Sequence, residues 1–461
     1  MPSCAHDRLL SASLSILLAS CVLPAGGCTW SRRGVAVAGT GSWTDTEVNA
    51  VSRPAVGGGV TAVTGLRADG TLETAVFDPA TGRRLWARPA ALAGRPAAMG
   101  VQPPAVAGPA GRAVVVAVEP RRSARWPAAL VARDARDGTQ RWARPVGSTH
   151  GPTRCGGYVC AAESTARPDA RFVVLDPATG RAVWWARGVA EMPWAEGRRA
   201  VLFRPGGRPV LEGRDLATGR RLWSFPVERA VGRGVRASDG WTFGALPGQG
   251  GGSPVLVGHV APVWERPGRP APPFGFFAVR VLDGRPLWAR PRLLRAHPGA
   301  AVSVAPIGRE VAADGGYGGF VRLDPRTGRV LGRVPADRAP SGAWWLALPD
   351  DPSRLGFLVR EAPGTAYGAA GATPVPARGL RVWSFCTVEA AELPIRGQRG
   401  FFPPIPLCAY DLGTGRRVTA PGPPPAWFTG AAGGRRVWRD EGGALHTVTD
   451  GTGDLPGTHG N

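Results

Sequence analysis

Hydrophobic positions along the chain fall in short runs rich in Val, Leu, Ala and Trp, and Gly and Pro punctuate the intervals between them. This is the pattern of many strands joined by tight turns. One unit recurs within it: an apolar strand, then Asp-x-x-Thr-Gly, then a second strand carrying a Trp. The clearest copies are FDPATGRRLWARP from Phe77, LDPATGRAVWWAR from Leu175 and RDLATGRRLWSFP from Arg214. In them Asp78, Asp176 and Asp215 lie eight positions before Trp86, Trp184 and Trp223, with Gly82, Gly180 and Gly219 between. RDARDGTQRWARP from Arg133 keeps that spacing from Asp134 to Trp142, with Asp-Gly at Gly138 replacing Thr-Gly.

Three further copies are degenerate. VRVLDGRPLWARP keeps Gly284 and Trp288 but has Arg280 in place of the leading Asp. LDPRTGRVLGRVP keeps Asp324 and Gly328 with Gly332 for the Trp, and YDLGTGRRVTAPG keeps Asp411 and Gly415 with Thr419 there. The chain thus carries seven copies, five of them with Trp.

Each copy has a physical reading. A strand with alternating apolar residues, such as Ala75 and Phe77, leads into Asp78, whose carboxylate accepts backbone N–H groups of the turn. Pro79 supplies a fixed φ, and Gly82 the positive φ that returns the chain as a second strand. Trp86 is then a large apolar surface that two strands cannot bury alone, so neighbouring units must stack.

The repeat resembles the tryptophan-docking motif of the pyrroloquinoline-quinone-type (PQQ-like) propellers. These include the quinoprotein alcohol dehydrogenases and the non-catalytic BamB-type envelope lipoproteins. The resemblance covers roughly residues 35–450. It implies an all-β β-propeller of four-stranded blades, with each motif Trp wedged between adjacent blades. Seven signatures give seven blades. A partial eighth, built from 426–428, RRVWRDE and ALHTV, lacks its fourth strand, which the segment 35–38 would supply by closing the ring. Eight blades are therefore favoured over seven. The 87 positions from Asp324 to Asp411 hold either a long insertion or a further blade. Segments 362–404 and 248–273, rich in Gly and Pro, are the expected functional loops.

Composition adjusts this picture in a few places. At 461 residues the chain needs no staple to bury a core, and its 67 Gly and 47 Pro belong to turns rather than to disorder. The formal charge of +22 comes entirely from Arg, a bias typical of GC-rich coding sequence. It suits an anionic partner such as a wall polymer or lipid headgroup. The arginines are dispersed through the turns rather than clustered, which disfavours nucleic acid. The missing Lys excludes a P-loop, a protein-kinase site, a pyridoxal Schiff base and a Ser–Lys hydrolase.

The N-terminus reads as an export signal. Residues 9–19 form an apolar run of signal-peptide length, preceded by Arg8, and end in Leu18-Ala19-Ser20-Cys21. That ending resembles the lipobox of bacterial lipoproteins, with Cys21 as the diacylated first mature residue and Cys28 as second choice. The alternative is plain secretion. The expected organisation is a signal peptide over 1–20, a lipid-anchored linker over 21–34, the propeller over 35–450 and a flexible tail over 451–461.

Four cysteines remain. In an exported protein they read as two local disulfides, Cys155 with Cys160 and Cys386 with Cys408, the second pinning the base of the late insertion. The histidines (His150, His259, His297, His446, His459 and His6) are scattered and read as surface or loop residues, none at metal-ligand spacing. The catalytic PQQ enzymes carry an adjacent-cysteine disulfide over the cofactor and a calcium site with a catalytic Asp; this chain has no adjacent cysteines. The resulting expectation assigns no catalytic residue, cofactor or metal. It is a non-catalytic, lipid-anchored extracytoplasmic scaffold with a monomeric body that binds another envelope protein or an anionic wall or lipid component. The alternatives are a PQQ- or metal-dependent oxidoreductase and a polyanion-binding surface protein.

Overall fold

The computed structural model describes residues 41–449 apart from segments 93–99, 122–127, 165–170, 238–239, 247–251, 262–271, 293–296, 300–301, 307–319, 324–325, 335–343, 348–354, 360–361, 368–373, 377–380, 386–390, 405, 412–415, 420–422, 425–429 and 433. Residues 34–461 form one compact unit; residues 1–33 are a separate unit and lie outside the described residues. Strands dominate, and the one helix among the described residues is the single turn Glu228–Val231.

The strands assemble into nine antiparallel sheets among the described residues, eight of four strands and one of three. In chain order, blade 1 spans 55–90, blade 2 105–146, blade 3 148–187, blade 4 191–226 and blade 5 241–291. Blade 6 spans 297–334, blade 7 344–376 and the three-stranded blade 8 381–418. In blades 1 to 8 each strand pairs with the next in sequence. Blade 9 is composite: Gly430–Ala432, Arg435–Arg439 and Leu445–Thr449 are joined by the N-terminal strand Trp43–Asp45.

Burial explains why these segments are strands. In blade 1 the two central strands, Val60–Leu66 and Leu72–Phe77, are buried at every position, because other blades cover both of their faces. The outer strand Arg84–Ala90 is exposed at its ends and buries Trp86. The apolar clusters accordingly lie in seams between blades rather than in one centre. Val76 and Trp86 of blade 1 pack with Val106 and Val115 of blade 2, and Phe203 of blade 4 packs with Phe277 of blade 5.

Three expectations change here. The count is nine sheets rather than eight, because blade 7 occupies the long interval between Asp324 and Asp411. Parts of the expected 362–404 insertion, Ala362–Tyr367, Pro374–Pro376 and Arg381–Phe385, are strands, as is Val255–Val260 within 248–273. The N-terminal strand that joins the last blade is Trp43–Asp45, with Trp43 opposite Thr447, Thr44 opposite His446 and Asp45 opposite Leu445; the segment 35–38 lies outside the described residues.

His446, read as a surface residue, is a tie in this composite blade. Its Nδ1 meets Thr44 Oγ1 at 3.0 Å, its Nε2 meets Asp440 Oδ2 at 2.8 Å, and its ring stacks on Trp438. RRVWRDE thus supplies a stacking Trp rather than the inter-blade wedge.

Candidate binding faces

The repeat residues act in series. The indole N–H of Trp86 donates to Ala135 O at 3.0 Å, that of Trp142 to Pro177 O at 2.8 Å, that of Trp184 to Leu216 O at 2.7 Å and that of Trp223 to Val281 O at 3.0 Å. Each acceptor directly follows the first motif residue of the next blade. Trp43 extends the series from the N-terminal strand, donating to Pro79 O at 2.9 Å. The sequence reading missed Trp43 because no Asp-x-x-Thr-Gly precedes it; the sheet it belongs to is completed by strands about 400 residues downstream.

Each docked ring also lies against the motif glycine of the next blade. At Gly180 φ is +69°, and a Cβ there would come within 2.5 Å of Trp142. The same juxtaposition recurs at Gly82 with Trp43, Gly138 with Trp86, Gly219 with Trp184, Gly284 with Trp223 and Gly328 with Trp288. The glycine therefore serves two ends, closing the turn and leaving room for the neighbouring indole.

The polar motif residues are consumed by the turn itself. Asp78 Oδ1 accepts the N–H of Ala80 at 2.7 Å and of Thr81 at 3.2 Å, and Thr81 Oγ1 accepts the N–H of Arg83. Asp176 and Asp215 repeat this pattern. In the Asp-Gly copy Asp134 accepts Arg136 N–H, and Asp137 takes the Thr role by accepting Thr139 N–H at 2.8 Å. Where Arg280 replaces Asp, its guanidinium instead pairs with Asp283 and holds that carboxyl down at about 2. Asp411 N–H bonds to Arg416 O. Asp324, Gly415 and Cys386 lie outside the described residues, as do Cys21 and Cys28.

Because strands alternate in direction, each motif turn shares one end of its blade with the turn between the first two strands. At that end the first connection has two residues at 58–59, 156–157 and 197–198 and is longer at 108–113, 247–254 and 348–354. The long connections 121–127, 165–170, 227–240, 261–274, 307–319 and 386–406 all fall at the other end. A docked indole constrains the motif turn, whereas nothing constrains length at the opposite end.

One of these connections forms a strap. Residues 391–404 leave blade 8 and pack onto blade 1 and the segment that follows it. Arg396 N–H donates to Gly70 O at 2.8 Å, Gly100 bridges Phe402, and Ile395 and Phe401 are buried with Leu66, Leu72, Leu92 and Val101. Arg439 of blade 9, buried and held low by desolvation, reaches Pro404 O. Cys408, in the strand that follows the strap, is disulfide-bonded.

Two other features qualify the chemistry. Some arginines are engaged inside the blades, two to each buried carboxylate: Glu73, Glu163 and Glu212 pair with Arg67 and Arg84, with Arg144 and Arg171, and with Arg204 and Arg214. Glu119 pairs with Arg133. Between the first strands of blades 4 and 5, Trp241 Nε1–H donates to Glu191 Oε2 at 2.5 Å. Burial pushes the Glu191 carboxyl up, and the indole only partly offsets this.

The folded state therefore binds that proton more tightly than the unfolded chain, so stability falls as pH rises from the ordinary carboxylate range through the folded value. Glu191→Gln is expected to stabilise the protein above that range and to leave it unchanged below. Urea midpoints of both proteins across pH check this; a difference that grows toward acid pH would refute it.

Cys155 and Cys160 form a disulfide across the Gly156–Gly157 turn of blade 3, with Cα atoms 5.9 Å apart. It joins residues five apart in sequence rather than adjacent ones. Among the described residues no group of three or more His, Cys, Asp or Glu is placed to hold a metal, and no helix is long and apolar enough to cross a membrane.

Residues 35–224 match the family model described as outer membrane protein assembly factor BamB. No curated protein matches the chain. Among solved structures, BamB from Moraxella catarrhalis is 13% identical, with 87% of this chain and 95% of that chain covered and a TM-score of 0.42. Quinohemoprotein alcohol dehydrogenase from Comamonas testosteroni is 12% identical, with 90% and 77% covered and a TM-score of 0.37. Rhamnogalacturonan lyase YesW is 13% identical, with 91% and 74% covered and a TM-score of 0.42. Likenesses this loose carry no argument about activity. With its serially docked tryptophans and antiparallel sheets the chain is a β-propeller of strand–turn–strand repeats, and residues 35–224 match the BamB family model.

Proposed function

We propose that this propeller is a non-catalytic, lipid-anchored scaffold on the extracytoplasmic side, whose loop-bearing end binds another envelope protein or a wall polymer. The division between the two ends of the blades carries the reading. One end holds the clamped motif turns, while the longest connections (227–240, 261–274, 307–319 and 386–406, which carries the strap) lie at the other, and loops on a rigid frame are where recognition concentrates. The match to an outer membrane assembly factor supports the envelope setting. A simple polyanion sponge, the alternative reading, would instead show binding that falls steeply with salt.

The test is site-specific photo-crosslinking in intact cells. A crosslinker at exposed Arg399 on the strap is expected to capture one defined envelope protein or polymer, and one at exposed Thr179 on a motif turn is not. Equal capture from both sites, or capture from neither, would overturn the assignment of the face. Reduction of an electron-acceptor dye after addition of PQQ and Ca²⁺ would overturn the non-catalytic reading.

The anchor is tested separately by labelling with a palmitate analogue. Label is expected on the wild type and absent from Cys21→Ala. Label that survives Cys21→Ala, or none on the wild type, removes the anchor.

A further inference from the structure

The outer strand of blade 3, Ala182–Arg187, differs from the other well-formed copies in two ways. The first is its edge chemistry. Three residues after the motif Trp, blades 1, 2, 4 and 5 carry Pro89, Pro145, Pro226 and Pro291, each inside the outer strand and paired with the third strand. A proline sits in an antiparallel ladder only where the N–H would point away from the neighbouring strand, and there it blocks addition of a further strand. Blade 3 has Arg187 at this register, opposite Arg171. Its outward N–H is therefore a free donor on an edge that no other strand pairs with among the described residues.

The second difference is the exposed side-chain row. Val183, Trp185 and Arg187 of this strand and Arg181 at its entry are all exposed, with Trp185 and Arg187 on one face and Val183 at the bulge between Ala182 and Trp184. Trp185 is 50% and Val183 38% exposed, two of the four large exposed hydrophobic residues among those described. The Trp185 ring lies 5.6 Å from the Arg187 guanidinium and 5.9 Å from that of Arg171. Arg171 is shared with Glu163, whereas Arg181 and Arg187 make no ion pair among the described residues. An apolar pair between two unneutralised cations, on an unblocked edge, is a template for one kind of ligand.

We propose that this edge is a docking site for an extended acidic strand of a partner protein, with carboxylates flanking two aliphatic residues in the pattern acid-x-aliphatic-x-aliphatic-x-acid. Backbone pairing along the edge supplies affinity, and the alternate side chains supply the register. Charge complementarity chooses the occupant. A second copy paired along the same edge would bring two arginine-flanked strands together, and like charges facing each other across a ladder are destabilising. The site is on the blade rim and does not depend on the loop-bearing end, so crosslinking from Arg399 and the experiment below can fail independently.

The test uses the full chain and a fluorescent peptide, GETVTITEG, read by anisotropy. A scrambled peptide of the same composition and a copy N-methylated at alternate positions serve as controls. The peptide is expected to bind, and both controls to bind at least about tenfold more weakly, a difference of ~1.4 kcal/mol. Trp185→Ala is expected to weaken binding similarly. Arg187→Pro, which installs the residue four other blades tolerate at this register, is expected to abolish binding while leaving the circular dichroism spectrum unchanged. Trp185→Ala and the N-methylated peptide decide the matter if Arg187→Pro disturbs the fold. Equal binding of the scrambled peptide or of poly-glutamate to wild type and variants would show charge attraction alone and overturn the proposal. Concentration-dependent dimerisation lost in Arg187→Pro would also overturn it, by making a second copy the occupant.

Discussion

Replacing Gly180 by Ala is expected to destabilise the protein by about 3 kcal/mol, although it adds a single methyl group. Roughly 1–2 kcal/mol follows from holding a residue with a Cβ in the left-handed region, which Gly180 occupies at φ +69°. The remainder comes from Trp142: the new Cβ would lie 2.5 Å from its ring, so the indole must leave its seat and its bond to Pro177 O. Gly206, with open space around its Cβ direction, is the control and is expected to tolerate Ala with little change. The measurement is the urea midpoint, read with the transition slope to confirm that the unfolding process is the same. A double-mutant cycle separates the two parts. In a Trp142→Ala background, Gly180→Ala should retain only the backbone cost, so the two substitutions together cost less than the sum of each alone. Strict additivity would show that the ring and the glycine do not compete for space.

Trp43→Ala is the second large effect, at about 3–5 kcal/mol, the range for truncating a buried Trp. Trp43 is 6% exposed, stacks near Phe77 with ring centroids 6.2 Å apart, and donates to Pro79 O. It also sits on the strand that joins the first described residues to the last, so its loss loosens the one sheet among the described residues built from both ends of the chain. Trp43→Phe should recover part of the loss, since it restores apolar area but leaves the Pro79 carbonyl without its donor. Deleting residues 1–45 should cost at least as much as Trp43→Ala, and deleting 1–40 much less. Equal stability of the two truncations would deny the strand this role.

The repeat was legible because its turn chemistry is local. Asp78, Gly82 and Trp86 lie within one hairpin, and their spacing implies strand, turn and an apolar surface that needs a neighbour. Trp43 was illegible for the converse reason: its blade is assembled from segments at opposite ends of the sequence, so no motif frames it. Blade 7 was concealed because its turn carries no Asp-x-x-Thr-Gly, although the 87-position interval showed that something occupied the space. His446 read as an isolated surface residue because both of its partners, Thr44 and Asp440, meet it only through the pairing of strands.

The glycine of the motif shows the limit within a legible feature. Turn chemistry alone explains why Gly180 closes a hairpin. That its missing Cβ also makes room for an indole from the preceding blade depends on how two hairpins stack, and stacking is set by long-range packing rather than by neighbours in sequence.

The sequence by itself determined the class of the fold, a stack of strand–turn–strand units with Trp wedges, because hairpin geometry follows from φ preferences and short apolar runs within about a dozen residues. Only the tertiary structure decided which Trp meets which turn, that the late insertion is partly a blade and partly a strap onto blade 1, and that blade 3 alone among the first five presents an unblocked edge. Those facts reside in contacts between segments far apart in the chain. A residue such as Arg187 in place of a proline acquires its meaning only when the strand beside it is known to be the last in its sheet.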